Sequence, residues 1–303
     1  MNQNLTKRIV KNFLSKIPYC NKIIRERGHW VPAGHFYSPI PDLQEIKAKE
    51  QAIFETIPRT LAGIDLNEEE QLTLLETFKP FNSEMPFKDE PQTGLRYYFK
   101  ARAFGYEGAI GLYSMMRYLK PKRIIEVGSG KSSAVMLDTN DLFFNSSIAF
   151  TFIEPYPKVL FSMVKQSDIE RNQLLTQKLQ DVNLDVFSQL SANDILFIDS
   201  THVSKINSDV NYLFFEILPS LASGVYIHIH DIFYPFEYPK HWLYKKGIAF
   251  NENYILRAFL QYNTAFKIVF FSSFLKYFYV DQLKQLMPFI MEHNAGSIWL
   301  RKC

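Results

Sequence analysis

The stretch "IIEVGSGKSS", residues 124–133, decides the fold. An apolar run ends in a Gly-x-Gly turn, Gly128 and Gly130, and Gly130-Lys131-Ser132 copies the close of a nucleotide-triphosphate loop. Such a loop also needs a glycine five residues before Gly130, so that consecutive backbone N–H groups can wrap a phosphate. Ile125 stands there, inside the apolar run, and excludes it. A dinucleotide turn wants a third glycine at position 133, where the chain has Ser133. What remains is a strand-to-helix turn with an acid, Glu126, two residues before its first glycine. A carboxylate there suits a ligand with an ammonium group, which a nicotinamide dinucleotide lacks.

Outward from this turn, short apolar runs alternate with helical segments. "SIAFTFIEPYP" (147–157) reads as a strand closing on Glu154, residues 194–199 as a strand closing on Asp199, and "GVYIHIHD" (224–231) as one closing on His230-Asp231. "FKIVFFSSF" and "SIWLRKC" supply two late strands, and no internal repeat occurs. The pattern implies an α/β fold, a doubly wound and mostly parallel sheet. Ligands of such sheets sit beyond the carboxyl ends of the strands, so the polar residues there carry the function. Gly128 and Gly130 let the backbone approach a ligand closely. Glu154, 24 residues past Gly130, stands where a carboxylate accepts from two ribose hydroxyls. Asp181, in "LQDV" after the expected third strand, is placed to accept from an adenine amino group.

The 303 residues suffice for one large α/β domain with an appendage. Hydrophobic residues at 47% and charged ones at 21% exclude a disordered chain, and no apolar run reaches the roughly 18–20 residues of an integral membrane segment. A net charge of +3 gives no argument for nucleic acid as a partner. Cys20 and Cys303 show no metal or redox spacing, which points to a reducing, cytoplasmic compartment. Near the start, Lys7, Arg8, Lys11, Lys16, Lys22, Arg25 and Arg27 face a single acid, Glu26, while Ile9, Phe13, Leu14 and Ile17 recur at helical spacing. This is a basic amphipathic helix, expected to dock on its own domain, on a second copy in a homo-oligomer, or on a membrane surface. Lysines interrupt it too often for a secretory signal. Residues 1–95, rich in Pro, Gly and aromatics, read as a helical cap with an irregular aromatic loop, and residues 96–303 as the ligand-binding domain. Asp65 or Asn67 is expected to cap the helix that opens with Glu68.

From "GHFYSPIPD" (34–42) onward the chain resembles the class I S-adenosylmethionine-dependent methyltransferases, particularly a bacterial subgroup of small-molecule O-methyltransferases. The segments "RIIEVGSGKSSAVMLDT", "DILFIDSTH" and "GVYIHIHDIFYPFEYP" carry the similarity. The resemblance implies a Rossmann-like sheet of order 3-2-1-4-5-7-6 with strand seven antiparallel. It implies S-adenosylmethionine as cofactor, held by Glu126, Gly128, Ser129, Gly130, Ser132, Glu154, Asp181 and Asp199. The chain departs from the family at the third glycine of the motif, which is Ser132.

The strand ends are also similar to those of metal-dependent O-methyltransferases such as the catechol and macrolide-sugar enzymes. That similarity implies Asp199, His230 and Asp231 as ligands of a divalent metal, Mg or Mn, with His202 as the catalytic base acting beside Asp199. His230 stands where the family more often has a carboxylate, and imidazole favours an ion softer than magnesium. The alternative for His230 is a hydrogen bond to substrate or to Asp199, and His228 reads as a core histidine. The implied acceptor is a small-molecule hydroxyl, whose proton must be removed or acidified. Phe36 and Tyr37 of the cap loop, with Tyr98 and Tyr106 ahead of the first strand, are candidates for the acceptor side, although packing explains the last two equally well. Two rivals stand beside this: a carboxylate acceptor, which needs neither base nor metal, and a cofactor-binding partner protein without catalysis.

Overall fold

The computed structural model describes residues 10, 13, 14, 16, 17, 30–101, 103–287 and 296–303. The expected basic helix and Cys20 fall largely outside them, while Cys303 is an exposed free thiol. The chain divides into two compact units, Met1–Thr56 with Lys240–Ala249, and Ile57–Pro239 with Phe250–Cys303. In the smaller unit, Asp42 caps the helix Leu43–Ala48 by accepting from the Gln44 and Glu45 N–H groups. That helix ends at Lys49 and a second follows as Glu50–Phe54, where Glu50 accepts from Lys240 at 2.8 Å.

The larger unit is built on seven strands: β1 (Arg123–Val127), β2 (Ala149–Ile153), β3 (Gln173–Leu175), β4 (Ile195–Ile198), β5 (Tyr226–His230), β6 (Phe266–Phe271) and β7 (Ser297–Lys302). Their order is β3-β2-β1-β4-β5-β7-β6, parallel except for β7, which runs antiparallel to both neighbours. Every residue of β4 and β5 is buried, because helices cover both faces of a parallel sheet and alternation is lost. The principal helices are α1 (Glu68–Ser83), α2 (Tyr106–Leu119), α3 (Lys131–Phe143) and α4 (Glu252–Leu260). Twelve of the fourteen α2 residues are buried, in keeping with a helix that is apolar all round. Helix α1 lies in this unit, where Gln71 ties it to the sheet by accepting from the Phe271 N–H at 2.7 Å. No helix among the described residues is long and apolar enough to cross a membrane.

Neither expected cap serves α1. Asn67 adopts a left-handed backbone, φ 52°, and its amide donates to the Ile268 carbonyl at 2.9 Å and to Glu70 at 2.7 Å instead of capping the first turn. Asp65 accepts from the Asn67 N–H at 2.8 Å. The demand of the β6 carbonyl outweighs local capping.

The segment before α2 is stapled by one buried cation. The Arg96 guanidinium donates to Asp138 of α3 at 2.7 Å, to Asp168 at 2.8 Å and to Asp141 at 2.9 Å. Asp138 also accepts from the Arg96 and Tyr97 N–H groups at 2.8 and 2.9 Å. Breaking such a cluster by removing one partner leaves uncompensated buried charge. Arg96→Met should therefore cost about 3–5 kcal/mol in urea unfolding at neutral pH, and a loss below about 1 kcal/mol would mean that the aspartates are satisfied without it.

Candidate functional site

Strand register sets the geometry. Val127 pairs with Ile153 on one side and Ile198 on the other, and Ile198 pairs with Ile229. Gly128, Glu154, Asp199 and His230 therefore leave the sheet at one level, at the point where the strand order reverses between β1 and β4. Gly128 has φ 82°, and a Cβ there would lie 1.8 Å from the Asp199 carbonyl oxygen. Only glycine allows the two strand ends to close up. Between them opens a cleft of about 390 Å³, lined by Gly128, Glu154, Gln180, Asp199, Ser200 and Thr201 among others. Glu154 accepts from the Tyr156 N–H with one oxygen, at 2.7 Å, which leaves the second for a ligand. Asp181 is not in the lining. A 3₁₀ turn over Leu179–Asp181 puts Gln180 on the cleft and leaves Asp181, expected to accept from an adenine amino group, exposed.

Glu126 does not reach the cleft either. It is fully buried, and its two carboxylate oxygens are taken by the Ser132 hydroxyl, at 2.5 Å, and by the Ser133 hydroxyl. Burial pushes its carboxyl up to about 7 against the pull of these hydrogen bonds. Both oxygens of the residue expected to accept from an ammonium group are thus engaged within the protein. The Ser133 hydroxyl in turn accepts from the Gly130 N–H at 3.1 Å, so the buried acid and its serines hold the turn into α3. This gives the serines that stand in place of glycine a physical reason. Ser129 is buried in the same turn.

The second half of the site lies at the ends of β4 and β5. His202 Nε2 is 3.3 Å from Asp199 Oδ1 and 3.7 Å from Asp231 Oδ2, and its Nδ1 is 2.7 Å from Glu252 Oε2 at the start of α4. Donor atoms of Asp199, His202 and Asp231 lie within 4.8 Å of one another, a set able to hold a metal ion. Burial lowers the His202 pKa, but hydrogen bonds to Asp199 and Glu252 and their charges outweigh it and lift it to about 10. Asp199 feels burial first, yet the charge of His230 and the hydrogen bond from His202 hold it below the usual carboxylate range. His202 and Asp231 both carry left-handed backbones, φ 59° and 57°, which non-glycine residues seldom adopt and which cluster at functional sites.

His230, expected as a ligand, is displaced from this set by His202. Its Nε2 lies 3.8 Å from Asp231 Oδ1, while its Nδ1 faces His228 Nε2 at 3.4 Å. The reason is β-strand alternation: His228 and His230 share one face and line up inward along α2, beneath Phe104. His228 stacks on Phe197 at 4.1 Å, and burial, then the charge of His230, hold it well below its ordinary value. It is a core histidine. Tyr106 packs too: its hydroxyl donates to Asp89 at 2.6 Å and its ring stacks on Phe99. Tyr98 is half-buried, and neither tyrosine lines the cleft. Phe36 and Tyr37 belong to the smaller unit, exposed, with Tyr37 stacked against Trp30 at 5.0 Å.

A family profile described as a methyltransferase domain matches residues 125–232, the span from the Gly-rich turn to the loop after β5. An uncharacterized protein of Archaeoglobus fulgidus is 36% identical over 180 residues, which cover 56% of this chain and 78% of that one. The chain belongs to the class I S-adenosylmethionine-dependent methyltransferases. Among solved structures, the methyltransferase is similar to the O-methyltransferase TomG of Streptomyces achromogenes, solved with SAM, at 11% identity over 85% of this chain and 96% of TomG (TM-score 0.46). It is also similar to the Mg-SAM form of CmcI-D160, at 16% identity over 71% of this chain and 81% of that one (TM-score 0.38). It spans half the length, 50%, of a Thermobifida fusca structure described as a methyltransferase, covering 42% of this chain at 14% identity (TM-score 0.32).

Two buried acids near His202 and His230 escape a reading of the sequence. Glu252 sits 50 residues from its histidine, in an "NEN" that reads only as a helix start. Glu107, in the first turn of α2, is buried and pushed up to about 7, first by burial, with the Ser272 hydroxyl and Lys276 pulling the other way. Glu126 offers a test. Its folded pKa of about 7 exceeds the reference 4.5, so its contribution to stability is complete below pH 4.5 and is lost as pH rises towards 7. Glu126→Gln removes that dependence and should gain about 3 kcal/mol on the wild type between pH 5 and pH 8 in urea unfolding. Glu107 remains, so the slope falls without vanishing. Parallel curves for the two proteins would mean that the serines keep Glu126 ionised.

Proposed function

We propose that this methyltransferase moves the methyl group of S-adenosylmethionine to the hydroxyl of a small molecule, with His202 as the base. One observation carries the reading: Asp199, which lines the cleft together with the Gly128 turn and Glu154, is also the residue on which His202 and Asp231 converge. S-adenosylmethionine supplies an electrophilic methyl; the C–S bond breaks, a C–O bond forms, and S-adenosylhomocysteine leaves. Glu154 would accept from the ribose, the Gly128–Gly130 backbone would border the cofactor, and Gln180 would take the adenine side. The acceptor hydroxyl sits against His202 Nε2, which receives its proton, while Nδ1–H stays on Glu252.

The donor set fits a divalent ion held by Asp199 and Asp231, which would lower the pKa of a coordinated hydroxyl. Two carboxylates are hard oxygen donors and suit magnesium or manganese alike. Asp199 and Glu252 lift His202, so positive charge beside Asp199 brings it back towards the range in which a base works at neutral pH.

Glu154→Ala should weaken S-adenosylmethionine binding by about 2–3 kcal/mol in calorimetry, since it strands two ribose hydroxyls. Unchanged affinity would remove the cofactor from this cleft. Chelation should abolish methylation of alcohols and phenols, with Mn²⁺ restoring it and cofactor affinity untouched. Full activity after chelation would favour a carboxylate acceptor and a methyl ester product. His202→Asn should lower turnover by about two to four orders of magnitude and leave Mn²⁺ affinity intact. A tenfold loss of Mn²⁺ affinity would instead make His202 a ligand.

A further inference from the structure

We infer that Glu252 is the positioning residue for His202, pinning the ring through Nδ1 so that Nε2 is the atom presented to Asp199 and Asp231. The catalytic meaning rests on His202 being the base; the geometry does not. Nδ1 lies 2.7 Å from Glu252 Oε2, and Nε2 lies 3.3 Å from Asp199 Oδ1. An ionised carboxylate only accepts hydrogen bonds, so the bond to Glu252 keeps a proton on Nδ1 whatever Nε2 carries. Turning the ring over would set a C–H against Glu252 and strand a buried carboxylate.

The surrounding bonds separate this role from that of a helix cap. The loop after β4 is already fastened to α4 without the Glu252 side chain. Asn251 and Glu252 donate their N–H groups to the His202 carbonyl, both at 3.2 Å. The Asn251 side chain accepts from the Ser204 N–H at 2.6 Å and donates to the Ser204 carbonyl at 3.1 Å. Against that background a buried carboxylate is an expensive choice. Glu252 is fully buried, its Oε1 has no hydrogen-bond partner among the described residues, and the first turn of α4 offsets only part of the cost. Its remaining oxygen goes to the imidazole. A neutral side chain would serve the helix; the acid serves the ring.

The test is ¹⁵N NMR of the histidine rings in the full chain, with His202 assigned through His202→Asn. The wild type should show a slowly exchanging Nδ1–H. Glu252→Leu should abolish it while far-UV circular dichroism and S-adenosylmethionine affinity, by calorimetry, stay as in the wild type. Glu252→Gln, whose amide oxygen can accept the same bond, should restore it. On an alcohol or phenol that the wild type methylates, Glu252→Leu should lower kcat by about 100-fold with KM unchanged, and Glu252→Gln should recover most of the loss. An unprotonated Nδ1 in the wild type overturns the inference whether or not the leucine variant folds, and so does an Nδ1–H that survives in Glu252→Leu. A protected Nδ1–H in a protein that methylates no hydroxyl would overturn the proposed reaction and leave the positioning of the ring standing.

Discussion

The site depends on the distance between two strand ends. Where β1 and β4 separate, the Gly128 Cα presses against the Asp199 carbonyl so closely that a single methyl group would lie 1.8 Å from the oxygen. That approach fixes the height of Asp199 relative to the Gly-rich turn. The parallel registers then carry the same level across to Glu154 just past β2 and to His230 at the end of β5. Buried apolar strands on both sides hold the register, since a slip would drag Ile125, Phe197 and Ile229 out of the core. The polar residues are thus aligned by hydrophobic packing one residue before them.

The site contains acids in two contrasting environments. Glu126 and Glu107 sit in apolar surroundings that push both to about 7, whereas Asp199 is kept ionised by the histidines beside it. Groups of one type pushed apart by their surroundings are how a single pocket divides structural from chemical duties. Here Glu126 holds the turn through Ser132 and Ser133, and Asp199 lines the cleft. His202 stands between an inner carboxylate, Glu252, and two outer ones, Asp199 and Asp231.

Much of this was legible because it is local. A Gly turn after an apolar run, an acid closing the next strand and a His-Asp pair closing β5 are patterns within a few residues, and the sheet order followed from the family they resemble. What was not legible depends on side chains meeting from distant segments. His202, and not His230, joins the two aspartates because alternation along β5 turns His230 inward, a matter of which face the helix α2 covers. Glu126 is satisfied by Ser132 and Ser133 once α3 starts, and no spacing rule says that those hydroxyls turn back instead of facing a ligand. Gln180 replaces Asp181 at the cleft because a 3₁₀ turn advances the side chains by about 120° per residue. Glu252 gave no signal at all.

The antiparallel strand has a consequence for how the protein is made. β5 carries His230 and leads into Asp231, yet its outer neighbour is β7, residues 297–302, the last strand to leave the ribosome. Until those residues emerge, β5 is an open edge of apolar backbone, the kind of surface that pairs with other chains or calls on chaperones. The cleft at the ends of β1, β2 and β4 needs nothing from β7. A nascent chain therefore completes β1 to β5 well before the strand that covers the outer edge of β5 arrives.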